Sequence, residues 1–217
     1  MGSSERPGSA PDPVPDRPRL AIVLAGGSGR RLGLVDKPAL LVRGRTLLSL
    51  ALDAVAPALT VVVGPPRELP SDVLQTREDP PQGGPAAALV AGLATLLAAG
   101  VTDDERDLVT VLAADLPGIG ATAVEQLAVV VRGDRLSGAL LVDPAGRDQY
   151  LAGVWRLGPL RAAAGARDSW HGGRVSDLLG PLVGVRIPVD RFTAADIDTT
   201  SDLLEWGAAP RASAPLD

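Results

Sequence analysis

Five consecutive apolar residues, Leu20 to Leu24, end abruptly in a glycine-rich basic segment, Ala25-Gly26-Gly27-Ser28-Gly29-Arg30-Arg31, which closes on Asp36-Lys37-Pro38. An unbroken apolar run bounded by glycine suits a strand buried on both faces of a parallel sheet. The small side chains from Ala25 to Gly29 let backbone N–H groups approach an anion and donate to its oxygens. Arg30, Arg31 and Lys37 bring positive charge to the same segment, so the stretch reads as a polyphosphate loop at a strand end. A plain turn with solvated arginines is the competing reading. Two other phosphate motifs fail on spacing: G-x-x-x-x-G-K-[ST] is missing, and after Gly27-Ser28-Gly29 the next glycine is Gly33, one residue late for G-x-G-x-x-G.

The loop's charge is local. The whole chain of 217 residues carries a formal net charge of −5, which disfavours a nucleic-acid partner held by general electrostatics and favours a small polyanion. With no cysteine and one histidine, disulfides, a thiolate nucleophile and a thiolate metal site are excluded. Any metal would rest mainly on carboxylates, which favours magnesium or manganese. A 46% hydrophobic content is enough for one buried domain at this length. Aromatic content of 2% leaves that core to Ala, Val and Leu. Apolar stretches are all shorter than the roughly 18 residues of a membrane span, and the N-terminus lacks the apolar region of a signal peptide. A cytoplasmic protein without membrane partners is expected.

Residues 1–19, rich in Pro, Ser, Gly and charge, read as a disordered tail, residues 20–207 as the domain, and residues 208–217 as a flexible tail. Within the domain, a helix starts near Thr46 with a broad apolar face from Leu47 to Val55. Leu59 to Val63 is a second buried strand, and a weaker extended segment lies near Val73 to Gln75. A Pro- and Gly-rich loop, Thr76 to Pro85, leads into the almost wholly apolar helix Ala86 to Ala99, with Pro85 suited to its first turn. Asp107 to Ala113 reads as a strand with Asp115 beyond its C-terminal end, where ligands of open α/β sheets bind. Ala121 to Val131 reads as a helix, Ser137 to Asp143 as a strand, and Asp143-Pro144-Ala145-Gly146 as a reversal. Leu182 to Val189 is the last expected strand. The alternation of strands and helices points to an α/β fold. Thr199 and Asp202 resemble a capping box, while the period of two puts Asp196 and Asp198 on one side of an extended segment.

Four segments carry a resemblance to the molybdenum cofactor guanylyltransferase family. Leu24 to Lys37 resembles that family's L-A-G-G-x-x-x-R-[ML]-G-x-(x)-D-K loop, with Leu32 where methionine is common. Gly84 to Leu93 keeps the frame of its G-P-L-A-G-L-x-A-G-L segment, with Ala87-Ala88 in place of Ala-Gly. Ala114-Asp115-Leu116-Pro117 is similar to its C-D-x-P. Asp196 to Leu203 resembles its [DN]-[IV]-[DN]-T-P-E-D-L, with Thr200-Ser201 in place of Pro-Glu. A returning strand, Gln149 to Trp155, has Tyr150 where the family has proline.

The resemblance implies a three-layer α/β/α, Rossmann-like nucleotidyltransferase with a mostly parallel sheet. It implies transfer of GMP from GTP to the terminal phosphate of Mo-molybdopterin with release of pyrophosphate. Leu24, Ala25, Gly26, Gly27, Lys37, Asp79 and Asp115 would bind the nucleotide. Arg31, Lys37 and Asp115 would be catalytic, and Asp115 and Asp196 would hold Mg²⁺, or Mn²⁺. The local alternative for Asp79 is a turn-forming residue before proline. Trp155 and Trp170 are expected in packing rather than on a pterin, and His171 in a surface loop. Transient contact with molybdoenzyme maturation proteins is a further implication. Other readings remain open: a cytidylyltransferase for the same cofactor, a nucleotidyltransferase for a sugar or polyol phosphate, or a non-catalytic nucleotide-binding partner protein.

Overall fold

The structure, a computed structural model, describes residues 18–26, 36–101, 107–197 and 199–209. Its centre is a seven-stranded sheet in the order β5-β4-β1-β6-β8-β7-β9. These strands are β1 (Leu20–Leu24), β4 (Leu59–Val63), β5 (Leu74–Thr76), β6 (Leu108–Ala113), β7 (Gly138–Val142), β8 (Asp148–Arg156) and β9 (Val185–Pro188). β1 pairs in parallel with both β4 and β6. β8 alone runs the other way, antiparallel to β6 and β7. The sheet is therefore mostly parallel, as expected.

Period-two alternation along β1 assigns its side chains to two cores. Ala21 and Val23 face one cluster with α1 (Leu47–Val55) and α3 (Ala121–Gly133). Leu20, Ile22 and Leu24 face the other, with α2 (Gly84–Ala98), α4 (Leu157–Ala164) and α5 (Val175–Leu179). Helices on both faces make three layers, and all five β1 side chains are buried, which explains why this segment is apolar without a break. Gly92 of α2 lets the helix approach closely. A Cβ there would stand 2.6 Å from Ile22 Cγ2 and 2.8 Å from Val63 Cγ2.

The helix expected near Thr46 begins there because Thr46 is its N-cap, its hydroxyl accepting from the Ser49 N–H at 3.0 Å; such caps contribute about 1 kcal/mol. The Asp143 reversal is a hairpin turn between β7 and β8, with Gly146 at φ +79°. Asp143 Oδ1 accepts from the Ala145 and Arg147 N–H groups at 2.9 Å each. Trp155 and Trp170 are both buried, the latter donating from Nε1 to the Ala164 carbonyl at 2.8 Å.

Described residues on either side of 20–207 pair with it. Pro18 is buried and the Arg19 carbonyl accepts from the Leu59 N–H at 2.8 Å, so these residues belong to the fold and not to the leading tail; residues 1–17 lie outside the described residues. At the other end Gly207, at φ +57°, terminates α6 (Thr200–Trp206), and Ala208–Ala209 form β10. β10 pairs antiparallel with β2 (Leu41–Val42), which pairs with β3 (Arg45–Thr46) in a second, three-stranded sheet. A third cluster of Leu40, Val42, Leu47 and Ile197 packs this corner against Leu203 and Trp206 of α6. The α6 start is a full capping box between Thr199 and Asp202.

Candidate active site

The strand ends create the site. β1, β4 and β6 stop at one edge of the sheet, and their continuations stay locked together for one more residue: the Ala25 N–H donates to the Val63 carbonyl at 2.8 Å, and the Ala114 N–H to the Leu24 carbonyl at 2.9 Å. Beyond them opens a cleft of about 460 Å³, floored by Leu24, Val63 and Ala113 and bordered by Gly26, Gly64 and Asp115. Gly64 permits this convergence, since a Cβ there would lie 2.7 Å from the Ala25 carbonyl oxygen. The opposite wall is the start of α2, with Gly84 at φ +86° followed by Pro85. Helix N-termini carry unpaired N–H groups and partial positive charge, both suited to an electronegative ligand.

Lys37 and Asp115 meet at this edge. Lys37 opens a short 3₁₀ turn, Lys37–Ala39, fixed by Pro38, and its Nζ stands 3.6 Å from Asp115 Oδ2, with the two side chains 17% and 26% exposed. Asp115 also holds the late segment in place, its carbonyl accepting from the Ile197 N–H at 3.2 Å. Asp196 directly precedes the residue that bonds Asp115, and its side chain is exposed. Among the described residues no group of three or more His, Cys, Asp or Glu could hold a metal. The protein offers carboxylate oxygens, the donor type that Mg²⁺ accepts while keeping water or phosphate oxygens in its remaining positions.

The structure thus brings Leu24, Gly26 and Asp115 to the cleft, and Lys37 to Asp115. Ala25 is buried at the end of β1. Gly27, Arg31 and Asp198 lie outside the described residues. Asp79 is exposed, and the cleft is lined instead by its neighbours Arg77 and Glu78. Glu78 Oε1 accepts from the Gln82 N–H at 2.9 Å, which shapes the loop entering α2. Ala88, the residue standing where the resembling motif has glycine, also faces the cleft. His171 is exposed, in a loop tied to the α2 entry by the Gly172 N–H, which donates to the Gly83 carbonyl at 2.8 Å.

Two features escaped the sequence reading. Arg67, in the loop after β4, reaches back to Ala25 and Asp36. Its placement follows from the parallel pairing of β4 beside β1, and the rule that ligands collect beyond strand ends would have singled out that loop. The other was countable: Lys37 is the only lysine in the chain, among 20 arginines.

The model of the MobA-like NTP transferase domain matches residues 21–180. A molybdenum cofactor guanylyltransferase of Rhodopseudomonas palustris strain BisB5 is 33% identical over 206 residues, covering 91% of this chain and 88% of the relative. Among solved structures, the molybdopterin-guanine dinucleotide biosynthesis protein A of Archaeoglobus fulgidus superposes with a TM-score of 0.64 at 16% identity, over 86% of this chain and 95% of that one. The 2-C-methyl-D-erythritol 4-phosphate cytidylyltransferase of Thermus thermophilus superposes at 0.57 with 22% identity, over 86% and 96%; at these identities the likeness is one of fold. From the match over residues 21–180 and the relative that is 33% identical over 91% of the chain, this chain belongs to the MobA-like NTP transferase family.

Proposed function

We propose that this protein is a molybdenum cofactor guanylyltransferase that transfers GMP from GTP to the terminal phosphate of Mo-molybdopterin. An oxygen of that phosphate attacks the α-phosphorus of GTP, a new P–O–P bond forms, and the α–β bridging bond breaks with its electron pair leaving on pyrophosphate. The observation that carries this reading is the Lys37–Asp115 pair, 3.6 Å apart, at the edge of a cleft formed where β1, β4 and β6 end. The 33% identical relative of that name supports the choice of substrates.

The attacking phosphate needs little activation by a base. The obstacle is charge, because an anion approaches an anionic phosphorus while negative charge grows on the leaving group. Lys37 supplies a compact cation for the phosphates, and Arg31 a second in this proposal. In the Leu24–Gly27 segment the Ala25 N–H is committed to Val63, so the Gly26 and Gly27 N–H groups would donate to phosphate oxygens above Leu24, which lines the cleft, and the Asp79 carboxylate would contact the nucleoside beside the α2 entry. Asp115 and Asp196 would hold Mg²⁺ (or Mn²⁺), which neutralises phosphate charge when bound. Their fit rests on hard oxygen donors, one of them bordering the cleft. A cytoplasmic setting and transient contact with molybdoenzyme maturation proteins belong to the same proposal; no described helix is long and apolar enough to cross a membrane.

Calorimetric titration with GTP, CTP, ATP and UTP, with and without Mg²⁺, tests the reading, followed by pyrophosphate release with Mo-molybdopterin. Magnesium-dependent preference for GTP is expected. Ala88 favours a second reading, cytidylyl transfer, because its methyl narrows the wall where a larger purine would lie. Preference for CTP, relaxed toward GTP by Ala88→Gly, would replace the guanylyl assignment, and no triphosphate binding by the purified protein would overturn both.

A further inference from the structure

Arg67 is a largely buried cation that no step above uses. Its side chain is 13% exposed, and its guanidinium turns inward from the loop after β4 to meet two separate segments. Nη2 donates to the Ala25 carbonyl at 3.0 Å, at the end of β1. Nη1 and Nη2 also donate to the two carboxylate oxygens of Asp36, at 3.3 and 3.4 Å. The remaining nitrogen, Nε, is buried without a hydrogen-bond partner. The loop bearing Arg67 is itself anchored, since Gln75 of β5 donates from Nε2 to the Pro65 carbonyl at 3.0 Å and accepts from the Arg67 N–H at 3.4 Å.

A buried guanidinium with an unsatisfied N–H is a costly way to fill space. What it achieves is a link between Ala25, the residue that follows β1, and Asp36, the residue that precedes Lys37. Only a planar fork with several donors reaches a carbonyl and a carboxylate on different segments at once; an ammonium, a point charge on a flexible stem, holds one of them well. Asp36 is followed directly by the 3₁₀ turn that carries Lys37. The chain of contacts therefore runs Ala25, Arg67, Asp36, then along the backbone to Lys37 and across 3.6 Å to Asp115.

We infer that Arg67 is a positioning residue for Lys37: by tying Asp36 to the end of β1 it sets where the lysine leaves the backbone and keeps its ammonium at the mouth of the cleft. Arg67 acts through Asp36 and touches no substrate. The inference rests on the proposal that the cleft takes a nucleoside triphosphate, and its test separates the two ideas.

The single lysine makes the test direct, because Lys37 is the only side-chain amine. Reductive ¹³C-methylation labels it together with the N-terminal amine, and Arg67→Met is expected to move the Lys37 methyl resonance in the nucleotide-free protein. Asp36→Asn, at a carboxylate 59% exposed, should move the same resonance without risk to the core. In unlabelled protein Arg67→Met should lower kcat about ten- to hundredfold, as misplacement of a catalytic group does. KM should change by less than about threefold. Arg67→Lys should recover only part of the loss. In a Lys37→Met background Arg67→Met should cost nothing further. Equal losses in both backgrounds would make Arg67 an independent phosphate ligand and overturn the inference. So would a Lys37 resonance unmoved by both Arg67→Met and Asp36→Asn. If the parent turns over CTP and not GTP, the guanylyl proposal fails while the same cycle is read with CTP. If it turns over neither, the resonance alone decides.

Discussion

Replacing Lys37 by methionine keeps most of the side chain's volume and removes its charge, and two effects of opposite sign should follow. At 3.6 Å from Asp115 Oδ2, an effective dielectric of about 20 gives a gross attraction of about 4–5 kcal/mol. Both side chains are partly exposed, at 17% and 26%, so water screens part of this field. A loss of roughly 3 kcal/mol in the transition state, on the order of a hundredfold in kcat, agrees with the removal of one charge-stabilising donor. Pyrophosphate release under saturating GTP and Mo-molybdopterin measures it. In the nucleotide-free protein the same change removes a cation beside Asp115, so Mg²⁺ binding by calorimetry should become tighter. Lower turnover with tighter free-metal binding is the signature of a cation that shares a site with the metal carboxylate. A folded Lys37→Met protein with wild-type kcat would refute the reasoning, and so would weaker metal binding, which would mean that Lys37 organises Asp115 instead of competing for its charge.

Other substitutions probe the framework under the site. Gly92→Ala puts a methyl 2.6 Å from Ile22 Cγ2 and 2.8 Å from Val63 Cγ2, on stiff β-branched side chains, so it should cost about 1–3 kcal/mol; a wild-type urea midpoint would show that α2 can move off the sheet freely. Acid should destabilise the β7–β8 end of the sheet. The Arg147 N–H, followed by that residue's guanidinium, holds the Asp143 carboxyl below its ordinary value. The Arg186 guanidinium does the same for Asp148, and the Thr193 N–H and hydroxyl for Asp190. A depressed native value means that the contribution is complete above the ordinary carboxylate value of about 3.9 and is lost as pH falls through the native value. Urea midpoints should therefore drop below about pH 4, and less steeply in Asp143→Asn; identical pH profiles would exclude Asp143 as a contributor.

The parts of the fold legible in the sequence are those whose burial forces a pattern. β1, β4 and β6 are buried on both faces and so are apolar but for the small buried Thr60 and Thr110. α1 covers one face of the sheet and shows the matching stripe. The small sheet of β2, β3 and β10 was unreadable because strands of two residues have no period, and their pairing joins positions at opposite ends of the chain. α4 was missed for a different reason: Gly158 and Pro159 look like helix breakers, yet they fall in its first turn, where a missing N–H costs nothing.

The site divides along the same line between local pattern and tertiary contact. Asp115 could be placed because a short loop fixes it beyond a strand end. Arg67 could not, because nothing in Gly64-Pro65-Pro66-Arg67 says that a guanidinium will turn inward, and its meaning comes from β4 lying beside β1. The contrast between Arg67 and Lys37 is itself chemical. A chain that meets every other need for a cation with arginine has lysine only beside Asp115. A guanidinium at that position would spread its charge over a rigid plane and favour bidentate pairing with the carboxylate, occupying the oxygens a metal would take. An ammonium is compact and its three donors rotate, so it can stay near Asp115 while turning toward phosphate oxygens. Lys37→Arg should therefore keep the charge and lose much of the turnover, with metal binding weakened, the reverse of the metal effect expected for Lys37→Met. If Lys37→Arg instead turns over at the wild-type rate, charge alone would suffice at this position, and the use of lysine there would have no mechanistic content.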